Sequence, residues 1–79
     1  MAVTLVFLGR LEDQAGGAER VVSAASLAEA LAGLEPPLVQ ALAGPRIRVA
    51  VNGTLVADRD RVMLADGDEV AFLPPVSGG

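Results

Sequence analysis

Residues Asp66–Gly79 read DGDEVAFLPPVSGG. Asp66-Gly67 marks a turn. Glu69–Leu73 is a strand, with Val70 and Phe72 on one face and Ala71 and Leu73 on the other. The strand then meets Pro74-Pro75, which lack donors and cannot extend a sheet. Val76, Ser77, Gly78 and Gly79 follow with little side-chain bulk. The six residues from Pro74 to Gly79 reach at most roughly 20 Å when extended. A stiff base with a thin tip suits the threading of a chain end, with its free carboxylate, into a narrow channel on another protein.

Just upstream, Arg46–Val51 (RIRVAV) alternates. Ile47, Val49 and Val51 share one face; Arg46, Arg48 and Ala50 share the other. Asn52-Gly53 is a strong hairpin signal, because both turn positions need positive φ. Thr54–Ala57 is the expected returning strand. Asp58–Leu64 is expected to be a connection that tucks an apolar segment under the sheet. Further back, Ser26-Leu27-Ala28-Glu29 is a capping-box pattern, with the Glu29 carboxylate reaching the Ser26 N–H. Leu27, Ala30, Leu31 and Leu34 then form one apolar stripe. Pro36-Pro37 ends that helix, and Leu38–Ala43 has room for one or two further turns before Gly44-Pro45. At the start, Val3–Leu8 (VTLVFL) is a strand near the middle of the sheet. Gly16-Gly17 is a turn, and Glu19–Ser23 returns antiparallel.

The order is β-β-α-β-β-β. One main helix covers one face of a mixed five-stranded sheet, an α+β roll. The domain is expected over residues 1–73, with 74–79 a flexible Gly-Gly tail. The inner set is expected to be Val3, Leu5, Phe7, Leu27, Leu31, Leu34, Ile47, Val49, Val51, Val70 and Phe72.

Composition narrows the chemistry. The chain has 79 residues and no Cys, His, Trp or Tyr, and all its basic residues are Arg. Zinc–thiolate sites, thiol nucleophiles, Ser–His pairs and Schiff bases are excluded. No Gly-rich phosphate loop is present: Gly16-Gly17 lacks the GxxxxGK[ST] pattern, and the chain has no Lys. A self-contained enzyme is not expected. Six basic against ten acidic residues give a net charge of −4, which disfavours nucleic acid and anionic membranes. Met1-Ala2-Val3 offers no basic leader, and Ala2–Leu8 is too short for a signal core or a membrane span. A cytoplasmic location is expected.

Thr4, Val6, Leu8, Arg48, Ala50, Ala71 and Leu73 are expected on the sheet face opposite the helix. That face is more apolar than a lone monomer needs. It is the expected partner surface, with Leu8 and Leu73 as anchors and Val6, Arg48 and Ala71 around them. The competing expectation is that Leu38–Ala43 or Val62–Leu64 folds across it. Asp58, Asp60, Asp66 and Asp68 lack calcium-loop spacing, and no metal site is expected. Ser77 has no base near it in sequence, and Ser23 and Ser26 read as a strand end and a cap.

The opening VTLVFLG, the turn at Gly16, SLAEALAGL, VAVNGTLV (Val49–Val56) and the Asp66–Gly79 block together resemble the small subunits of molybdopterin synthase, in the ubiquitin-like β-grasp superfamily. The Asp66–Gly79 block is the specific part. One departure is visible: where the family often has an Arg-Glu pair after the first strand, this chain has Glu12-Asp13. The resemblance implies a sulfur carrier. An adenylating enzyme similar to ubiquitin-activating enzymes would use ATP to activate Gly79. A sulfur donor, such as a persulfide-bearing sulfurtransferase, would convert it to a thiocarboxylate. The tail Pro74, Pro75, Val76, Ser77 and Gly78 would insert into the large synthase subunit, in a heterotetramer. There sulfur would pass to a cyclic pyranopterin phosphate to build the dithiolene. No permanently bound cofactor is implied. Related carriers serve thiamine, cysteine or tRNA thiolation, and others act as protein modifiers, so those alternatives stay open.

Overall fold

The structure is a computed structural model that describes residues 2–75. In chain order it comprises β1 (Ala2–Phe7), α1 (Arg10–Ala15), β2 (Glu19–Ser23), α2 (Leu27–Ala32), α3 (Pro36–Leu42), β3 (Arg48–Val51), β4 (Thr54–Leu55), a 3-10 turn (Arg59–Arg61) and β5 (Glu69–Leu73). The strands form one sheet in the order β2-β1-β5-β3-β4. β1 and β5 run parallel, and the remaining pairs are antiparallel. The sheet is therefore mixed, and β5 lies at its centre, as a β-grasp requires.

Alternation along the strands divides the sheet into two faces. Val3, Leu5, Phe7, Val49, Val70 and Phe72 are buried on the inner face. The helices and the β4–β5 connection cover them with Leu11, Leu27, Leu34, Leu38, Leu42 and Leu64, in one contiguous core. Fully burying a Leu, Val or Phe contributes about 1.5–3 kcal/mol each. At the core's centre the Phe7 and Phe72 rings stack, with centroids 5.6 Å apart and planes 12° from parallel.

Three short helices are present: α2 stands where the main helix was expected, α3 takes up the further turns expected over Leu38–Ala43, and α1 is additional. α1 lies between the first strand and the Gly16-Gly17 turn, where no element was expected. Its one buried residue is Leu11, too little to make a periodic stripe. Gly9 before it and Gly16 after it both take positive φ, which brackets the helix without any side-chain cap. α3 begins with Pro36-Pro37 in its first turn. There the missing N–H donors cost nothing and the fixed φ is already helical. α2 ends earlier, at Ala32 with Gly33 as its C-cap, short of the Leu34 of the expected stripe, and the prolines start α3. Leu38 and Leu42, one turn apart, are both buried.

The core differs accordingly. Leu31, Ile47 and Val51 pack against it but are only partly buried, while Leu11, Ala24, Ala30, Leu38, Leu42 and Leu64 join it. β3 starts at Arg48 rather than Arg46, and β4 is two residues long. In the capping box, Ser26 Oγ accepts from Glu29 N at 3.1 Å, as expected. The Glu29 carboxylate accepts from Ala25 N at 3.3 Å, one residue before the expected donor.

The acidic residues near the β5 start fasten turns. Asp66 Oδ1 accepts from Ala2 N at 2.8 Å. Asp68 Oδ2 accepts from Ala65 N at 2.8 Å, and its other oxygen accepts from Asn52 Nδ2 at 3.0 Å. Asn52 has φ +50° and Gly53 φ +84°, the geometry a two-residue hairpin turn needs.

Candidate functional site

β5 carries the chain out of the middle of the sheet. Its last residues pair on both sides: Phe72 lies beside Phe7 and Val49, and Leu73 beside Arg48. Leu8 N donates to Phe72 O at 3.2 Å, which extends the parallel pairing by one residue. Pro74 leaves against Gly9. The tail's base is thus fixed by two neighbouring strands, a buried aromatic pair and a proline–glycine contact. Pro74 and Pro75 are half-buried there. Val76, Ser77, Gly78 and Gly79, expected as the inserting tip, lie outside the described residues.

The outer face follows from register. Glu19, Val6, Ala71, Ala50 and Leu55 form one row across the sheet. Leu8, Leu73 and Arg48 lie toward the tail end of the sheet. Leu8 is 40% exposed, Arg48 is exposed, and Val6, Ala71 and Leu73 are half-buried. The five expected surface residues therefore share one continuous face beside the tail's exit. Leu38, Leu42 and Leu64 went into the core instead of across this face.

Two residues of the face escaped the sequence reading. Leu55 is 58% and Val21 68% exposed. Leu55 follows from the Asn52-Gly53 turn, which places it opposite Ala50. Val21 follows from its pairing with Thr4. Ala50 is only 8% exposed although it is on this face, because it lies between Ala71 and Leu55 in the row.

Two carboxyls are held below their ordinary range, and both stand away from the tail's base. Glu35, at the start of α3, is lowered chiefly by its hydrogen bond from Arg20, a 2.8 Å ion pair. Asp68 is lowered by hydrogen bonds from the Ala65 N–H and then from Asn52. Among the described residues no cluster of acidic groups could hold a metal ion. No described helix is long and apolar enough to cross a membrane.

This arrangement presents a tail from a rigid sheet centre and an apolar surface around its root. The sequence profile of the ThiS family matches residues 5–79. The chain belongs to the ThiS family. It is a ubiquitin-like sulfur carrier with the β-grasp fold. This ThiS-family chain is similar to SAMP1 from Haloferax volcanii, with 30% identity, 100% of both chains covered and a TM-score of 0.83. It is also similar to a chain in the complex of subunits 1 and 2 of molybdopterin-converting factor from Helicobacter pylori 26695, with 30% identity, 100% of both chains covered and a TM-score of 0.77. Mycobacterium tuberculosis CysO, at 24% identity over 94% of this chain and 99% of its own, shares the fold with a TM-score of 0.79. No curated protein matches significantly.

Proposed function

We propose that this ThiS-family protein is the small, sulfur-donating subunit of a molybdopterin synthase. The supporting observation is the end-to-end likeness to the Helicobacter chain, found in a complex of subunits 1 and 2 of molybdopterin-converting factor. The proposed reactive group is the carboxylate of Gly79. It attacks the α-phosphate of ATP on an adenylating partner, and pyrophosphate leaves. The resulting acyl-adenylate is a mixed anhydride with AMP as its leaving group. The terminal sulfur of a donor persulfide displaces AMP, and a thiol cleaves the S–S bond to leave the thiocarboxylate. That group then gives its sulfur to a cyclic pyranopterin phosphate on the large subunit.

This chain supplies no side chain to those steps. Its contribution is to hold the tail's root and to seat the partner. In the proposal Pro74 and Pro75 stiffen the exit, and Val76, Ser77 and Gly78 form the inserting tip. Leu8, Val6, Arg48, Ala71 and Leu73 contact the large subunit. ATP belongs to the activating partner, and no resident cofactor is needed. The proposed location is the cytoplasm. Intact-mass analysis after incubation with an adenylating enzyme, ATP and a sulfur source tests the reading. One oxygen replaced by sulfur at Gly79 is expected. No change, with the enzyme active on a control carrier, overturns it.

The likeness to SAMP1, described as a small archaeal modifier protein, favours a second reading. In it Gly79 is joined to lysines of target proteins. Adducts that survive reducing agent and vanish when Gly78 and Gly79 are deleted would select this reading.

A further inference from the structure

β2 (Glu19–Ser23) stands at one edge of the sheet, and among the described residues only β1 pairs with it. The opposite edge, β4, is two residues long, too short to template another strand. β2 is five residues long. Edge strands are ordinarily blunted by Pro, by Lys, by a bulge or by a charge turned into the pairing. β2 has no Pro or Lys, and its register with β1 runs without a bulge from Ala2↔Ser23 to Val6↔Glu19. Its one basic residue, Arg20, is drawn toward the helices, where it donates to Glu35 and to Ala15 O.

The ladder decides which backbone groups face outward. Val6 is opposite Glu19, so Phe7 is opposite Ala18, and Phe7 N donates to Ala18 O at 2.8 Å. That bond marks Phe7 and Ala18 as a hydrogen-bonded pair. In an antiparallel ladder such pairs alternate with open ones. Arg20 and Val22 therefore bond to β1, while the N–H and C=O groups of Glu19, Val21 and Ser23 point away from the sheet. Thr4 has the matching parity: it is opposite Val21, yet its N–H donates to Asp68 O on the side away from β2. Glu19, Val21 and Ser23 are all exposed, Val21 at 68%.

This edge is complementary to itself. When two β2 strands run antiparallel about Val21, Val21 meets Val21 of the second copy and Glu19 meets Ser23 of the second copy. Each meeting is a pair that exchanges N–H···O=C bonds. The Ser23 hydroxyl can also donate to the Glu19 carboxylate. Arg20 is opposite Val22, so no like charges are opposed. Beyond the strand, Ala18 is opposite Ala24 and Gly17 opposite Ala25, with no bulky side chain in the way. Sliding the pairing one way would oppose the two Arg20 residues. Sliding it the other way would separate the two Val21 residues and leave Glu19 opposite Ala25.

We propose that this edge takes a second copy of the chain, through antiparallel β2–β2 pairing centred on Val21, which joins two five-stranded sheets into one. The two-fold axis is perpendicular to the sheet, so the outer faces of the copies become continuous. The two β5 strands then run in opposite directions, and the two tail roots leave from opposite ends of the joined sheet. Leu73 and Pro74 are not at the joint. The inference does not depend on the carrier reading. One strand pair is a narrow joint beside the roughly 1,200–2,000 Å² of stable complexes, so the dimer forms by mass action at high concentration and dissociates on dilution.

The test places charges at the two-fold axis. Sedimentation velocity of the full chain over about 0.01–1 mM is expected to move from the monomer value toward that of a dimer. Val21→Lys and Val21→Glu, each alone, set like charges opposite one another and are expected to weaken association about tenfold. An equimolar mixture of the two variants is expected to restore it, because opposite charges then meet. The exposure of Val21 lets both variants fold, and circular dichroism checks this. A chain that stays monomeric throughout, or variants that associate like the unaltered chain, overturn the proposal. So does a dimer lost in Leu8→Arg but kept in both Val21 variants, which would place the contact on the outer face.

Amide hydrogen exchange reads the register. Exchange at Glu19, Val21 and Ser23 is expected to slow at least about twofold between the dilute and the concentrated sample, while Arg20 and Val22, bonded within each copy, keep their rates. Equal slowing at all five overturns the pairing. If the chain stays monomeric and the three amides are protected only when a Thr-Val-Thr-Val-Thr peptide is added, the edge serves a foreign strand and the proposal is overturned.

Discussion

Gly9 and Pro74 are in such close approach that a Cβ built on the glycine would lie 3.0 Å from Pro74 Cγ. Gly9 also has φ +56° and ψ −135°, a combination that L side chains rarely adopt. The contact ties the start of α1 to the root of the tail. Gly9→Ala is expected to cost about 1–3 kcal/mol from backbone strain, and Pro74 must also shift to relieve the contact. Denaturant unfolding measures the first effect. Slower sulfur transfer at saturating partner measures the second, and unchanged transfer would show that the tail does not need this anchor.

Gly78→Phe tests the narrow tip. Among the described residues the core ends at Phe72, so the unfolding midpoint should stay within the error of the unaltered chain. Thiocarboxylate delivery to the large subunit should fall by orders of magnitude if the channel admits only backbone. Normal transfer by this variant would refute a narrow channel.

Leu8→Arg and Leu73→Arg probe the outer face. Each would place an unpaired charge in a desolvated contact. The expected loss is about 2 kcal/mol or more in affinity for the large subunit. Leu8→Arg is the cleaner variant, because that side chain is 40% exposed in the isolated domain. Calorimetric titration reads the result, and unchanged affinity would remove the residue from the interface.

Asn52 holds positive φ, accepts from Glu69 N and donates to Asp68. Asn52→Ala is expected to destabilise the fold by about 1–2 kcal/mol, as the sum of left-handed strain and lost hydrogen bonds. Asn52→Gly should recover the strain part alone. Equal stability of the two variants would assign the whole effect to the hydrogen bonds.

Asp68 and Glu35 predict the acid limb of the stability curve. Both carboxyls titrate below their usual values, 3.8 for Asp and 4.5 for Glu. In that window the unfolded chain binds more protons than the folded one, so stability rises with pH. Their contribution is complete above the usual values and is lost as pH falls through the lowered folded ones. Asp68→Ala should flatten the slope of stability against pH below about pH 4. An unchanged slope would mean that the Asp68 hydrogen bonds do not persist in solution.

The strands were legible because each signal is local. Glu19–Ser23 and Glu69–Leu73 have the bounds that alternation and their flanking turns imply. The Asn52-Gly53 turn takes the positive φ angles its residues favour. The helices were less legible. α1 has one buried residue and no side-chain cap, so no period exists to read. α3 begins at prolines, which in sequence signal a stop as strongly as a start. The site was legible as residue types and faces. Leu8, Arg48 and Leu73 converge as alternation implies, whereas Val21 and Leu55 needed the pairing register.

The sequence by itself determined the alternation of each strand, the hairpin, the α2 cap and the run from a strand into Pro74-Pro75, since all depend on residues within a few positions of one another. The tertiary structure decided what neighbours what. It placed β5 between β1 and β3, so that the tail leaves from the centre of the sheet. It drew Leu38, Leu42 and Leu64 into the core, because the inner face could bury them and the outer face could not. It also gathered Arg46, Arg48 and Arg59 at the tail's root, where an acidic chain becomes locally basic. Such juxtapositions depend on strand order and crossover path, which local pattern does not encode.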